Sequence, residues 1–230
     1  MIIKCNKKLH VPILFVHIPK NAGGSINEYL KTNKSVIKVC GHKTIKQIKN
    51  QLYDKNKKYN SVNFEDYFKF TIFRNPWERM LSNFKFRMQI DGPDPHWKKV
   101  KKLNLNFNEW LKKVVNNTGI EELKKHNTYL SYIKIKGKIA VDYIINFHNL
   151  NEEFKVIKKL CKFNRNLGNT IHKSKRGNYK FYYNDKSIEL VNEIHKDDIK
   201  LFKFNFDNTS HMDLSMIENK CKKAKEIIGS

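Results

Sequence analysis

Lys20, Gly23, Gly24 and Ser25 stand together in the stretch PKNAGGS, two residues after the apolar run VPILFV. An ammonium, two residues without bulk and a hydroxyl at the start of a helix form a set suited to catching an anion. Unpaired backbone N–H groups converge there, and the helix dipole favours negative charge. A second set lies in FTIFRNPWERMLS, where Arg74 offers a planar guanidinium and Ser82 a hydroxyl. A guanidinium can grip a phosphate with two parallel hydrogen bonds. His42, in CGHKT, supplies an imidazole, the side chain best matched to general-base work near neutral pH. Each residue also has a plainer reading. Arg74 could serve a structural salt bridge, Ser82 a solvated helix position and His42 a surface cap, while His17 reads as a packing residue at a strand end.

The surrounding pattern predicts the elements that must hold these groups. Residues 12–17 read as a buried strand with a helix over 24–32 behind it. SVIKVC (35–40) reads as a second strand and KTIKQIKNQL as its helix, and FKFTIF (68–73) as a third strand. Asn75 can cap the next helix, with Pro76 at its first position and Glu78 completing a capping box. Residues 91–135 read as mainly helical and irregular, with FNEWLKKVV as one helix. AVDYIINF (140–147) reads as a strand, NLNEEFKVIKKLC as a helix, and KSIELVNEIHKDDIKLFKF as one long amphipathic helix. Strands alternating with helices imply an α/β fold with a mainly parallel sheet, in one domain over 1–230. In such sheets ligands bind beyond the carboxyl ends of the strands, where PKNAGGS, His42 and Arg74 would stand.

The net charge is +24, and it is almost all lysine, since Arg74, Arg79, Arg87, Arg165 and Arg176 are the only arginines. One reading is a lysine-rich nucleic-acid-binding domain without catalysis, but no recognised nucleic-acid motif accompanies the charge. The other is codon bias: a chain rich in Lys, Asn and Ile fits an AT-rich bacterial or viral genome. An ATP-dependent phosphotransferase is disfavoured, because GxxxxGK[ST] is absent and no obvious Mg²⁺ carboxylate adjoins either loop. Cys5, Cys40, Cys161 and Cys221 show no metal-ligand spacing, so no metal is expected and a reducing compartment is. No apolar run reaches membrane-spanning length, so the expectation is a cytoplasmic protein without an anchor.

HIPKNAGGS followed by FRNPWERMLSNF resembles the sulfotransferases that use 3′-phosphoadenosine 5′-phosphosulfate (PAPS). The likeness is greatest to the carbohydrate group that includes heparan sulfate 2-O-sulfotransferase, and it continues through CGHKT, VDYIINFHNLNEEF, HKSKRGNYKFYY and KDDIKLFKFNF. The resemblance implies a P-loop-like loop for the phosphosulfate, with Lys20 near the bridging oxygen and Ser25 on the phosphate. The backbone of Asn21, Ala22, Gly23 and Gly24 would supply N–H groups. Arg74 and Ser82 would bind the 3′-phosphate, and Lys173, Ser174, Lys175 and Arg176 would close over the nucleotide, although that basic loop could equally be a solvated tether. His42 matches the histidine that serves the group as base, and 3′-phosphoadenosine 5′-phosphate (PAP) would be the product. The acceptor would be a glycan or another hydroxyl-bearing molecule, with residues 91–135 shaping its pocket and their lysines suiting an acidic one. His96, His126 and His172 are further candidates for acceptor contacts. The chain departs from the group at Asn75, where Asp is common, and at His148, where an acidic residue is common.

Overall fold

Six-residue burial without a break is what makes FKFTIF a strand: both of its faces are covered, so apolar residues run continuously instead of alternating. Our computed structural model describes residues 12–31, 36–38, 42–53, 63–89, 101–115, 128–161, 167 and 178–207. Along the chain these hold β1 (Ile13–Phe15), α1 (Gly23–Lys31), β2 (Val36–Lys38), α2 (Ile45–Leu52) and β3 (Phe68–Phe73). Next come α3 (Pro76–Gln89), α4 (Phe107–Val115), α5 (Tyr129–Ile133), β4 (Lys134–Ile135), β5 (Lys138–Ile139) and β6 (Tyr143–Asn146). Helices α6 (Leu150–Glu153), α7 (Lys155–Cys161), α8 (Asp185–Ile194) and α9 (Lys196–Phe202) complete the order. The described residues fall into two compact units, one running to Arg74 and resuming at Tyr129, the other holding 75–128 and 178–207.

The first unit is built on a four-stranded parallel sheet in the order β2-β1-β3-β6. The expected α/β fold with a mainly parallel sheet is therefore present. Ile13 and Phe15, Phe68, Phe70 and Ile72, and Tyr143 and Ile145 share one face, and Ile26, Tyr29 and Leu30 of α1 with Ile157 and Leu160 of α7 close over it. Phe15 stacks on Phe70 with ring centroids 4.9 Å apart, and Tyr29 meets Phe154 edge-on at 5.2 Å. On the opposite face Phe73 stacks on Tyr129 at 4.2 Å. Lys69 is a buried cation in the middle of this apolar strand. It is tolerated because its Nζ donates to the Tyr67 carbonyl (2.7 Å) and pairs with Asp142 (3.2 Å).

A two-stranded antiparallel hairpin, β4-β5, has its first strand at the end of the stretch read as mainly helical and its second just beyond it. Lys136 and Gly137 turn it, both with positive φ, +49° and +78°. That pair of left-handed residues is the turn whose twist suits a tight hairpin.

In the second unit Asn75 caps α3 as expected, its Oδ1 accepting from the N–H of Trp77 (3.0 Å) and of Glu78 (3.4 Å). Trp77 is buried and donates from Nε1 to the Ile188 carbonyl at 3.2 Å, so α3 is pinned to α8. Phe107, Trp110 and Leu111 of α4 join this core. FNEWLKKVV is one helix with the expected bounds. The long helix expected over 186–204 is two, however. It breaks at His195, whose backbone leaves the helical region at φ −105° and ψ 17° while its ring bonds Asp198.

Candidate functional site

The topology marks a place for chemistry before any side chain is considered. The chain leaves β1 for β2 on one side, then returns across β1 to β3 on the other. Between β1 and β3 the two connections diverge and open a crevice at the carboxyl ends of the strands. The segment 18–22 leaves β1 there and Arg74 leaves β3 there.

The loop is strained in a specific way. Lys20 (φ +67°) and Ala22 (φ +56°) both adopt the left-handed conformation, which costs a non-glycine residue on the order of 1–2 kcal/mol. Such conformations persist when their surroundings over-determine them, and they gather at functional sites. Here the fixing contact comes from Asn21, whose side chain is 1% exposed and whose Nδ2 donates to the Ile72 carbonyl of β3 at 2.7 Å. Its Oδ1 is buried without a hydrogen-bond partner. The first bond of the α1 ladder runs from Ile26 N to Ala22 O. The N–H groups of Gly23, Gly24 and Ser25 therefore precede that ladder, as the first amides of any helix do. Ser25 is half-buried and Gly24 exposed.

Arg74 lies against the same loop. Its Nη1 donates to the Lys20 carbonyl at 3.4 Å, and its guanidinium sits 4.3 Å from the centroid of the Phe147 ring. The Tyr129 hydroxyl accepts from the Arg74 N–H (3.3 Å) and donates to the Arg74 carbonyl (2.5 Å), so a phenol extends the end of β3 as a strand partner would. Arg74 is 2% exposed.

His42 follows β2 and is exposed. Two residues on, Thr44 caps α2: its Oγ1 accepts from Gln47 N and Gln47 Oε1 accepts from Thr44 N. The His42 side chain lies against another imidazole. Its ring meets that of His17 edge-on, with centroids 4.7 Å apart and planes at 71°. His17 in turn stacks on Phe15 at 5.6 Å. Gly23 is shaped by this neighbour: a Cβ there would fall 1.7 Å from His17 Nε2.

The structure thus brings the loop over 20–25 together with Arg74, and His42 with His17 and so with Gly23. Ser82 is buried in α3, in the second unit. Lys173, Ser174, Lys175 and Arg176 lie outside the described residues, as do His96, His126 and His172. Sequence reasoning missed the Asn21 side chain, Tyr129 and Phe147 as organisers of the site. Asn21 stands inside the motif, but nothing in a sequence says that its amide reaches a neighbouring strand. Among the described residues no cluster of three His, Cys, Asp or Glu could hold a metal ion, and no helix is long and apolar enough to cross a membrane.

An open parallel sheet with a strained small-residue loop and a buried arginine at its switch point defines an α/β protein. The family model described as the sulfotransferase family matches residues 7–205, and the chain belongs to that family. No curated protein and no solved structure matches the chain. Members of the family transfer sulfuryl groups to hydroxyl-bearing acceptors and generally take them from PAPS. The alternative of a nucleic-acid-binding domain without catalysis is not supported.

Proposed function

We propose that this protein transfers a sulfuryl group from PAPS to a hydroxyl of a carbohydrate, with Lys20 and His42 as its catalytic groups. The observation that carries the reading is the contact between Arg74 and Lys20 at the switch point. There the two anion motifs of the sequence meet through a hydrogen bond, on a loop whose backbone is already turned.

The residues present fit such a donor. The N–H groups of Gly23, Gly24 and Ser25 and the Ser25 hydroxyl would hold its 5′-phosphosulfate. Arg74 and Ser82 would hold its 3′-phosphate, and Lys173, Ser174, Lys175 and Arg176 would cover the nucleotide. When bound, PAPS supplies a sulfuryl group on a phosphate leaving group. His42 accepts the proton of the acceptor hydroxyl. Lys20 places its ammonium where negative charge develops on the departing oxygen. Asn21 keeps Lys20 in register with β3 through the Ile72 carbonyl. The excess of lysine suits an acidic glycan as acceptor.

Thermal unfolding with PAP, and separately with ADP and ATP, tests the donor. Ligand at about a hundred times its Kd adds about 2.7 kcal/mol. For a domain of this size that is a rise of roughly 5–10 °C. The rise should require the 3′-phosphate and vanish in Arg74→Ala. Equal small shifts with every nucleotide would overturn the reading.

A further inference from the structure

We infer that His17 is a positioning residue, and that its ring sets the angle at which His42 stands beside the anion loop. The inference rests on the reading of His42 as the base. It starts from a column of rings: Phe70 stacks on Phe15 at 4.9 Å, Phe15 on His17 at 5.6 Å and an interplanar angle of 16°, and His17 ends edge-on at His42. The column begins in the core of the sheet and finishes at an exposed histidine.

His17 is held on its other sides as well. The missing side chain of Gly23 admits the ring, since a Cβ there would lie 1.7, 2.0 and 2.5 Å from Nε2, Cδ2 and Cε1. No side chain larger than hydrogen fits while the ring keeps this place. Asn27 Nδ2 lies 3.4 Å from His17 Nδ1. With that amide donating, Nδ1 is the acceptor, and a neutral His17 carries its proton on Nε2. Phe15, Gly23 and Asn27 therefore fix an imidazole that could otherwise turn about two torsions.

The consequence falls on His42. An exposed side chain samples several rotamers, and a base is useful in the one that reaches the acceptor hydroxyl. A rigid ring at 4.7 Å, backed by the core, restricts that choice. Gly23 then has two duties, freeing the helix start for an anion and giving His17 its seat. The loop that holds the leaving group and the ring that aims the base are thereby built on one contact.

NMR of the full chain labelled at histidine Cε1 tests this. Wild type should show cross-relaxation between the His17 and His42 rings, and His42 should shift in His17→Ala and in Gly23→Ala. His17→Phe, which keeps the ring column, should restore the His42 position. PAP formation from PAPS, with a desulfated uronic-acid polysaccharide or water as acceptor, should fall about ten- to a hundred-fold in His17→Ala. The melting rise caused by PAP should stay at the wild-type value in that variant. Adding Gly23→Ala to His17→Ala should change the His42 signal no further, because the clash is gone. A His42 signal indifferent to His17→Ala, or a loss of turnover matched by an equal loss of PAP binding, overturns the inference. Wild-type turnover in His42→Ala would instead overturn the role of His42 as base, whatever the NMR contact shows.

Discussion

His195 Nδ1 lies 2.9 Å from Asp198 Oδ2, and both side chains are wholly shut off from solvent. Burial drives the imidazole below its ordinary pKa of 6.5; the bond to Asp198 pulls it back up, and the charge of Arg79 pushes it further down. In the unfolded chain the same ring titrates near its ordinary value. Below that pH the unfolded state binds a proton that the fold resists, so stability should fall as the pH drops from 6.5 towards the lower folded value. Urea midpoints at about pH 7.5 and about pH 5.5 measure this, and the gap between them should shrink in His195→Asn. A gap that survives the substitution would assign the acid sensitivity to other groups.

The two amide atoms of Asn75 work in different directions. Oδ1 caps α3, while Nδ2 donates to the Asn205 carbonyl at 3.0 Å. Asn75→Asp should keep the cap and set a carboxylate oxygen against that carbonyl. We expect a net loss of about 1–3 kcal/mol, despite the favourable helix dipole. Melting temperature reads it directly. An aspartate variant as stable as wild type would show that the Asn205 bond contributes nothing.

Gly137 gives a cleaner case. Its φ is +78°, and a Cβ there would meet nothing within 4 Å. Gly137→Ala should therefore cost about 1–2 kcal/mol through backbone conformation alone. Lys136→Gly, at φ +49°, should change stability in the opposite direction. Denaturant midpoints of both variants, with unchanged slopes, would isolate the turn. Equal and opposite shifts are not required, only opposite signs.

For catalysis, His42→Ala should lower sulfuryl transfer by about 10²–10⁴-fold, the usual worth of a positioned base. Lys20→Ala should cost about 10²–10³-fold, as expected for loss of charge stabilisation at the leaving oxygen. Both proteins should stay folded by circular dichroism. A double variant that still transfers sulfuryl groups would strip Lys20 and His42 of their catalytic roles.

Much of this was legible in the residues themselves. FKFTIF is covered on both faces, so its burial and its strand state follow from one apolar run, and its observed bounds are the expected ones. The α3 start was readable because Asn and Pro act on their immediate neighbours. The hairpin over 134–139 was not, since its strands are two residues each and its turn begins with lysine, which gives no left-handed signal. The break at His195 was hidden by a helical spacing that continues across it, and only the buried bond to Asp198 explains it. His17 read as a packing residue, and it packs on Phe15; the nearness of His42 and the empty flank of Gly23 are what a sequence could not show. Side-chain contacts between segments distant in the chain have no local signature.

The Asn21 amide, fastened to the Ile72 carbonyl of β3, gives the loop after β1 an unusual mechanical status. Its strained turn is stitched to a central strand of the sheet by that bond. A protease should therefore meet the turn around Asn21 as interior chain and not as a surface loop. Under the proposed function, an arriving anion would find the cradle already shaped, with no disorder to quench before capture.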